Sequence, residues 1–412
     1  MRDRTVLKYY VFEATRNAHF SGPIRVLFLL SRDISYSGIG LLDAVFSLTV
    51  LVAETPTGYV GDRIGRRRAL VIGTLGGSLG SLAFAFAGSL SGFLFAYVTL
   101  AIARTFTSGS DSAWLYDTLR ARTDESRFAD IRGRGKSLGL VVSAVAAVAG
   151  GLLGSVNLAW PWVVSGVLTA AGVPVVLSFP TPDEAADGAE VEEAHPDPGP
   201  LDALRAVRDR LLGPHLRWFV VYTGVFAAVM GVVNFFIQPV TVDAVPELPP
   251  VFDVQLDGVV VVGLVFAAFR LVAAVVTARA GWIRERVGIE SWFRGVPVAL
   301  GGLFAGVALL PVAAIPMFFV LRAVRSVTEP LQGQYLNDHI NSVGRATTLS
   351  AVAMLHSLLV APFELAGGAL ADAVGEIPAI SLLGGFLVVA AVGIQLVGVF
   401  ERQESERPTA TE

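Results

Sequence analysis

Apolar residues run along this chain in long blocks, not at the spacing of an amphipathic soluble core. Twelve blocks stand out, at roughly 9–31, 38–60, 69–88, 92–119, 137–157, 159–179, 217–239, 258–280, 292–309, 313–337, 347–370 and 377–400. A run of about 20 apolar residues crosses a bilayer as a helix, so each block is predicted to be a membrane span. Proline and glycine inside several blocks do not argue against this, because neighbouring helices can satisfy the freed backbone groups. The predicted fold class is all-α and integral to the membrane, with twelve transmembrane helices.

The polar connections organise the blocks. Residues 183–200, DEAADGAEVEEAHPDPGP, hold seven acids, three prolines and no Lys or Arg, the composition of a disordered linker. The stretch 201–212, LDALRAVRDRLL, spaces its apolar residues as a short helix lying on the membrane surface does. The chain therefore divides into a six-helix bundle at 1–180, a cytoplasmic linker with its surface helix at 181–216, a second six-helix bundle at 217–402 and a tail at 403–412. Of the 31 Lys and Arg residues, 24 fall in segments on the same side as the N-terminus, six lie within spans, and only Arg32 falls in the opposite loops. Basic residues in short loops mark the cytoplasmic side. Both termini are thus expected in the cytoplasm, in a multi-pass protein of the plasma membrane. The first block lacks a small-residue cleavage site and reads as a retained helix.

Composition narrows the chemistry. Only 16% of the 412 residues are charged and the mean hydropathy is +0.63, whereas soluble domains are roughly 25% charged. The absence of cysteine excludes disulfides, thiol catalysis and thiolate zinc sites. The five histidines are scattered without metal-binding spacing, so neither a metal nor another cofactor is expected. A net charge of -4 argues against a nucleic-acid partner. The stretch RGRGKS (132–137) lacks the first glycine of a phosphate-binding loop, which disfavours an ATP-driven pump. No nucleophile–base pair suggests an enzyme.

An internal repeat relates the two halves. GYVGDRIG (58–65) and GWIRERVG (281–288) each join the second and third spans of their half, at an offset of 223. Arg104 precedes Asp117 by thirteen residues in the fourth span, and Arg325 precedes Asp338 by thirteen in the tenth, at an offset of 221. Two echoes at nearly one offset indicate a duplicated six-helix unit, hence two pseudo-symmetric bundles. Parallel repeats with a site at their interface are a transporter architecture.

The stretch from Gly58 to Leu70, GYVGDRIGRRRAL, resembles the loop signature G-x-L-A-D-R-x-G-R-[RK]-x-x-L of the major facilitator superfamily, with Val60 for Leu and Gly61 for Ala. The resemblance covers essentially the whole chain and implies that family's fold and a monomer. Among members it is nearest in motifs to drug–proton antiporters: Arg104 in IARTFTSG matches their fourth-span arginine. Their fifth-span signature, G-x-x-x-G-P-x-x-G-G, is met at its end by Gly150 and Gly151, while Ala146 and Ala147 replace Gly-Pro. The resemblance also implies that the loop is a conformational latch. Asp62 would meet the positive end of span eleven near Thr347, and Arg66 would pair Asp117. Glu54, Gly58, Gly61, Arg63 and Gly65 complete the candidate gating loop, with Glu54 expected to brace it from inside span two, the alternative being that it carries a proton.

Ionisable residues within spans are costly and mark function by default. Polar residues recur on every third helix: Glu13, Arg16 and Asn17 in span one, Arg104 and Asp111 in span four, Asn234 and Gln238 in span seven, and Arg322, Arg325 and Glu329 in span ten. This is the pattern expected if spans 1, 4, 7 and 10 line an aqueous cavity. Spacings of three, four and seven residues put each set on one helical face. Arg270 in span eight needs a partner, for which Glu364 or Glu329 are candidates. Asp43 is expected to be solvated at the outer end of span two, and His356 to be packed. A carboxyl poised between burial and a nearby arginine can load and release a proton, with Asp111 and Glu13 first and Glu329 third. The expected function is secondary active transport of a small molecule, as proton-coupled efflux. The alternatives are proton-coupled uptake or facilitated diffusion of a polar metabolite, or a non-transporting membrane sensor. Partners are the substrate, protons and the bilayer.

Overall fold

The computed structural model describes residues 2–121, 125–180, 214–247, 255–340 and 345–396. The predicted linker helix at 201–212 and the tail at 403–412 lie outside the described residues, which form helices and turns. Contacts divide the chain into two compact units, Met1–Pro196 with Thr241–Leu271, and Asp197–Val240 with Val272–Glu412.

The first span is broken. Helix α1 (Arg2–Asn17) ends where the Asn17 side chain turns back to the Glu13 carbonyl at 2.8 Å, a local bond that competes with helix continuation. A 3-10 turn, Gly22–Ile24, carries Pro23 in its first turn and leads into α2 (Arg25–Leu30). Helix α3 (Tyr36–Ile64) starts on Ser35, whose hydroxyl accepts from Gly38 N–H at 3.2 Å and so caps an otherwise orphaned donor. The first unit continues with α4 (Arg66–Phe86), α5 (Leu90–Thr107), α6 (Ser110–Arg120), α7 (Phe128–Val156) and α8 (Trp160–Leu177). Further along the chain come α9 (Pro214–Val233), α10 (Ile237–Ala244), α11 (Gly258–Ala278), α12 (Ala280–Val287), α13 (Ile289–Gly306), α14 (Ala314–His339), α15 (Arg345–Val374) and α16 (Glu376–Leu396).

Eleven helical stretches among the described residues are long and apolar enough to cross a membrane. The twelfth predicted span is the broken first one, in which α1 is charged and α2 is short. Large apolar side chains such as Phe86, Val156, Leu309 and Leu396 are more than three-quarters exposed. Water would penalise such a surface, whereas lipid is its natural solvent.

The repeat is visible in the packing. In the first unit α4 packs on α8, and α1 on α7 and α8. In the second unit the helices one repeat later do the same: α13 packs on α16, and α9 on α15 and α16. The backbone repeats too. Gly65 ends α3 at φ +91, ψ 144, and Gly288 ends α12 at φ +79, ψ 149. Residues with a Cβ avoid this region, which explains the shared glycine. Each unit has an aromatic core: Trp114 stacks on Phe179 at 3.8 Å in the first, and Phe219 on Tyr335 at 3.9 Å in the second.

Candidate functional site

Helix α1 carries Glu13, Arg16 and Asn17 on one face. The Arg16 Nη1 lies 2.5 Å from Asp111 Oδ2 and 3.7 Å from Glu13 Oε1. Asn17 Nδ2 also donates to Glu13 Oε2 at 3.3 Å. One guanidinium therefore serves two carboxylates, and Glu13 is only 6% exposed. Asp111 sits in the first turn of α6 and accepts from the Ser112 N–H at 2.7 Å, where the helix end favours negative charge.

That first turn exists because the fourth span is interrupted. Helix α5 stops at Thr107, and Gly109 at φ +79 starts α6. The break alters one sequence expectation. Arg104 and Asp111, seven apart, would share a face on a continuous helix; instead Asp111 pairs with Arg16, and the Arg104 guanidinium lies 5.9 Å from the centre of the Phe46 ring.

Beside this cluster the first unit holds a cavity of about 530 Å³. Arg16, Asn17, His19 and Arg104 line it together with Thr15, Thr74 and Thr107, and with Phe12, Phe46 and Trp162. Its size falls within the range of small-molecule sites. Trp162 is fixed by stacking on Phe84 at 3.6 Å.

The second unit brings its candidates together only in part. Arg322 Nη2 donates to Asn234 Oδ1 at 2.5 Å, joining spans ten and seven. Arg325 and Glu329 pair at 3.4 Å on an exposed face. Gln238 and Glu364 are buried. Arg270 belongs to the first unit, and its two expected partners, Glu329 and Glu364, belong to the second. His356 is more than packed: its Nε2 lies 3.1 Å from both the Val220 carbonyl and Thr223 Oγ1, and its Nδ1 lies 3.4 Å from Gln332 Nε2. A neutral ring protonated at Nε2 satisfies the carbonyl contact and leaves Nδ1 to accept from Gln332.

One polar cluster was missed from the sequence. Arg25 Nη1 lies 2.6 Å from Asp43 Oδ1 and donates to the Tyr97 hydroxyl at 2.6 Å. Asp43 is therefore not solvated; it is the counter-ion of Arg25, with both side chains largely buried. The signal was available, since an arginine inside a span requires an acid and Asp43 is the carboxylate at the matching depth.

Across the Gly65 junction, Asp62 Oδ1 in the last turn of α3 lies 2.6 Å from Arg66 Nη1 at the start of α4. The charge of Arg66, with that of Arg120, also reaches Asp117. Arg63 covers the Tyr59 ring at 4.5 Å, and Arg67 donates to the Phe179 carbonyl at 3.1 Å, tying the loop to the end of the sixth span. Gly61 is buried with Ala69 near the place a Cβ would take, while Gly58 and Glu54 are exposed. The side chains of 341–347, including Thr347, lie outside the described residues.

Residues 17–355 match the Major Facilitator Superfamily. The chain belongs to this family. It is 24% identical over 208 residues to an uncharacterized MFS-type transporter, YxaM, of Bacillus subtilis (strain 168), covering 49% of each chain. It is 21% identical over 215 residues to multidrug resistance protein 2 of the same organism, covering 51% of this chain and 50% of that one. The chain thus spans about half the length of the curated relatives it matches. Among solved structures, the nucleoside transporter NupG superposes with a TM-score of 0.80 at 12% identity, over 96% of this chain and 99% of that one. A bacterial homolog of the human lysosomal transporter Spinster, in an inward-facing and unoccupied conformation, gives 0.71 at 17% identity over 96% of each. At such identities the likeness establishes the fold, that of a multi-pass helical membrane protein.

Proposed function

We propose that this family member is a secondary active transporter that exports an amphipathic small molecule in exchange for protons, by alternating access. The observation that carries the reading is the pairing of Arg16 with both Glu13 and Asp111 beside the cavity of the first unit. Two carboxylates competing for one guanidinium form a site whose proton occupancy responds to any movement of the arginine. A substrate entering the cavity reaches Arg16 directly, which couples binding to protonation. Efflux is supported by the partial similarity to multidrug resistance protein 2 and by Arg104, Gly150 and Gly151 at antiporter signature positions.

The loop bearing Asp62 and Arg66 acts as the conformational latch, supported by its motif and by the reach of Arg66 to Asp117. The excess of basic residues in one set of loops supports a cytoplasmic position for both termini, and in this reading the protein works as a monomer in the cell membrane. Reconstitution into liposomes tests the proposal. An imposed pH gradient should drive flux of an amphipathic compound against its own gradient. Flux that ignores the pH gradient would favour facilitated diffusion, and binding without flux would favour a sensor.

A further inference from the structure

We propose that the cavity of the first unit selects organic anions, with Arg104 as the group that holds the anionic head. The proposal rests on the transporter reading for its biological meaning, but the site stands on its own geometry.

The argument begins with the charges. No carboxylate lines the cavity among the described residues. Glu13 and Asp111, neither of them in the lining, are both held on Arg16. Arg104 has no ion pair among the described residues; its guanidinium has only the Phe46 ring beside it. The lining itself therefore carries Arg16 and Arg104 and, among the described residues, no carboxylate.

A guanidinium in a span is expensive unless something completes it. Its planar fork of donors matches carboxylate, phosphate and sulfonate groups, and the match is bidentate. The neutral wall does not compete for that task. Thr15, Thr74 and Thr107 donate their hydroxyl protons to backbone carbonyls at 2.9, 2.7 and 2.9 Å. A cationic ligand would face Arg104 with no free acid to pair with, and would have to displace Arg16 from its carboxylates.

The rest of the lining fits the body of such an anion. Phe12, Phe46 and Trp162 offer flat apolar surface, and the Trp162 ring is held rigid against Phe84. The Trp162 indole N–H has no acceptor among the described residues. An anionic head on Arg104 would leave these rings to receive an aromatic body.

The test uses the purified full chain in detergent and three probes of one shape: 1-naphthoate, 1-naphthalenemethanol and 1-naphthylmethylamine. Binding is read by calorimetry. We expect 1-naphthoate to bind at least about tenfold tighter than the alcohol or the amine, as a charged hydrogen-bond pair warrants. Arg104→Gln should remove that preference, and Arg104→Lys should keep part of it. If Arg104→Gln fails to fold, the ranking of the three probes on the unmodified protein still decides. Equal or tighter binding of the amine, no binding of 1-naphthoate, or its unchanged binding to a folded Arg104→Gln protein would each overturn the proposal. Proteoliposome flux separates the two readings. Naphthoate that binds but is never carried would defeat transport and spare the anion site. Carriage of the amine and not of naphthoate would do the reverse.

Discussion

Arg16 of the first span and Asp111 of the fourth meet at 2.5 Å. They are 95 residues apart in sequence, and the contact exists because Gly109 interrupts the fourth span just before Asp111. Arg16 also keeps Glu13 within 3.7 Å, so the second carboxylate can take over the guanidinium when the first is neutralised. Asp111→Asn should therefore insert and fold normally while flux loses most of its dependence on a pH gradient, by tenfold or more. The check is counterflow against gradient-driven uptake in the same vesicles. Unchanged pH dependence would move the proton role to Glu13 or Glu329.

The Arg25–Asp43–Tyr97 cluster makes a different prediction, about stability. Asp43→Asn leaves a largely buried guanidinium without its counter-charge, which costs about 3 kcal/mol. Tyr97→Phe removes one hydrogen bond to a charged group and should cost about 2 kcal/mol. Replacing both charges, with Arg25→Met and Asp43→Leu, should recover much of the Asp43→Asn loss, because the burden is the unpaired charge. Thermal unfolding of the four proteins in one detergent reads the cycle, and a double variant less stable than Asp43→Asn would refute it.

How far the sequence reveals this molecule depends on which physical signal carries each feature. Spans follow from long apolar runs, which a bilayer requires, and the packing of α4 on α8 and of α13 on α16 repeats as the two motif echoes predict. The Glu13, Arg16 and Asn17 face was legible because helical spacing fixes it. The partners of Arg104 and Asp111 were not, since that reasoning assumes an unbroken helix and a single glycine at positive φ redirects everything after it. Asp43 was misjudged for a related reason: depth in the membrane is not the same as exposure to water. The kink of the first span left only indirect traces, Asn17 and Pro23, whose effects come from local bonds that hydropathy does not register.

Gly65 and Gly288 give a paired test of the repeat. Both hold nearly the same backbone conformation at positive φ, where a Cβ costs about 1–3 kcal/mol. Gly65→Ala and Gly288→Ala should each lower thermal stability by that amount. Gly58→Ala should not, because Gly58 is helical and a Cβ there meets no atom within 4 Å. Equal effects at all three positions would show that the positive φ is not what these glycines supply, since a Cβ at Gly58 or Gly65 meets no atom within 4 Å.

Asp62→Asn separates latch from scaffold. The Asp62–Arg66 pair bridges the end of α3 and the start of α4, and Asp62 is 55% exposed, so its loss should change stability by no more than about 0.5 kcal/mol. Asparagine keeps the shape and the hydrogen-bonding oxygen and removes only the charge. If the pair merely decorates a cytoplasmic loop, flux through Asp62→Asn protein should match the unmodified protein at equal surface density. If the charge biases the conformational equilibrium, flux should fall at least tenfold while expression, thermal stability and 1-naphthoate binding stay within error. Arg66→Gln should then fall to a similar degree, since it removes the same pair and the charge that reaches Asp117. The double variant should be no worse than either single one, because both substitutions disable one latch. Independent, additive losses would mean that Asp62 and Arg66 act through separate partners, and the latch would have to be divided between them.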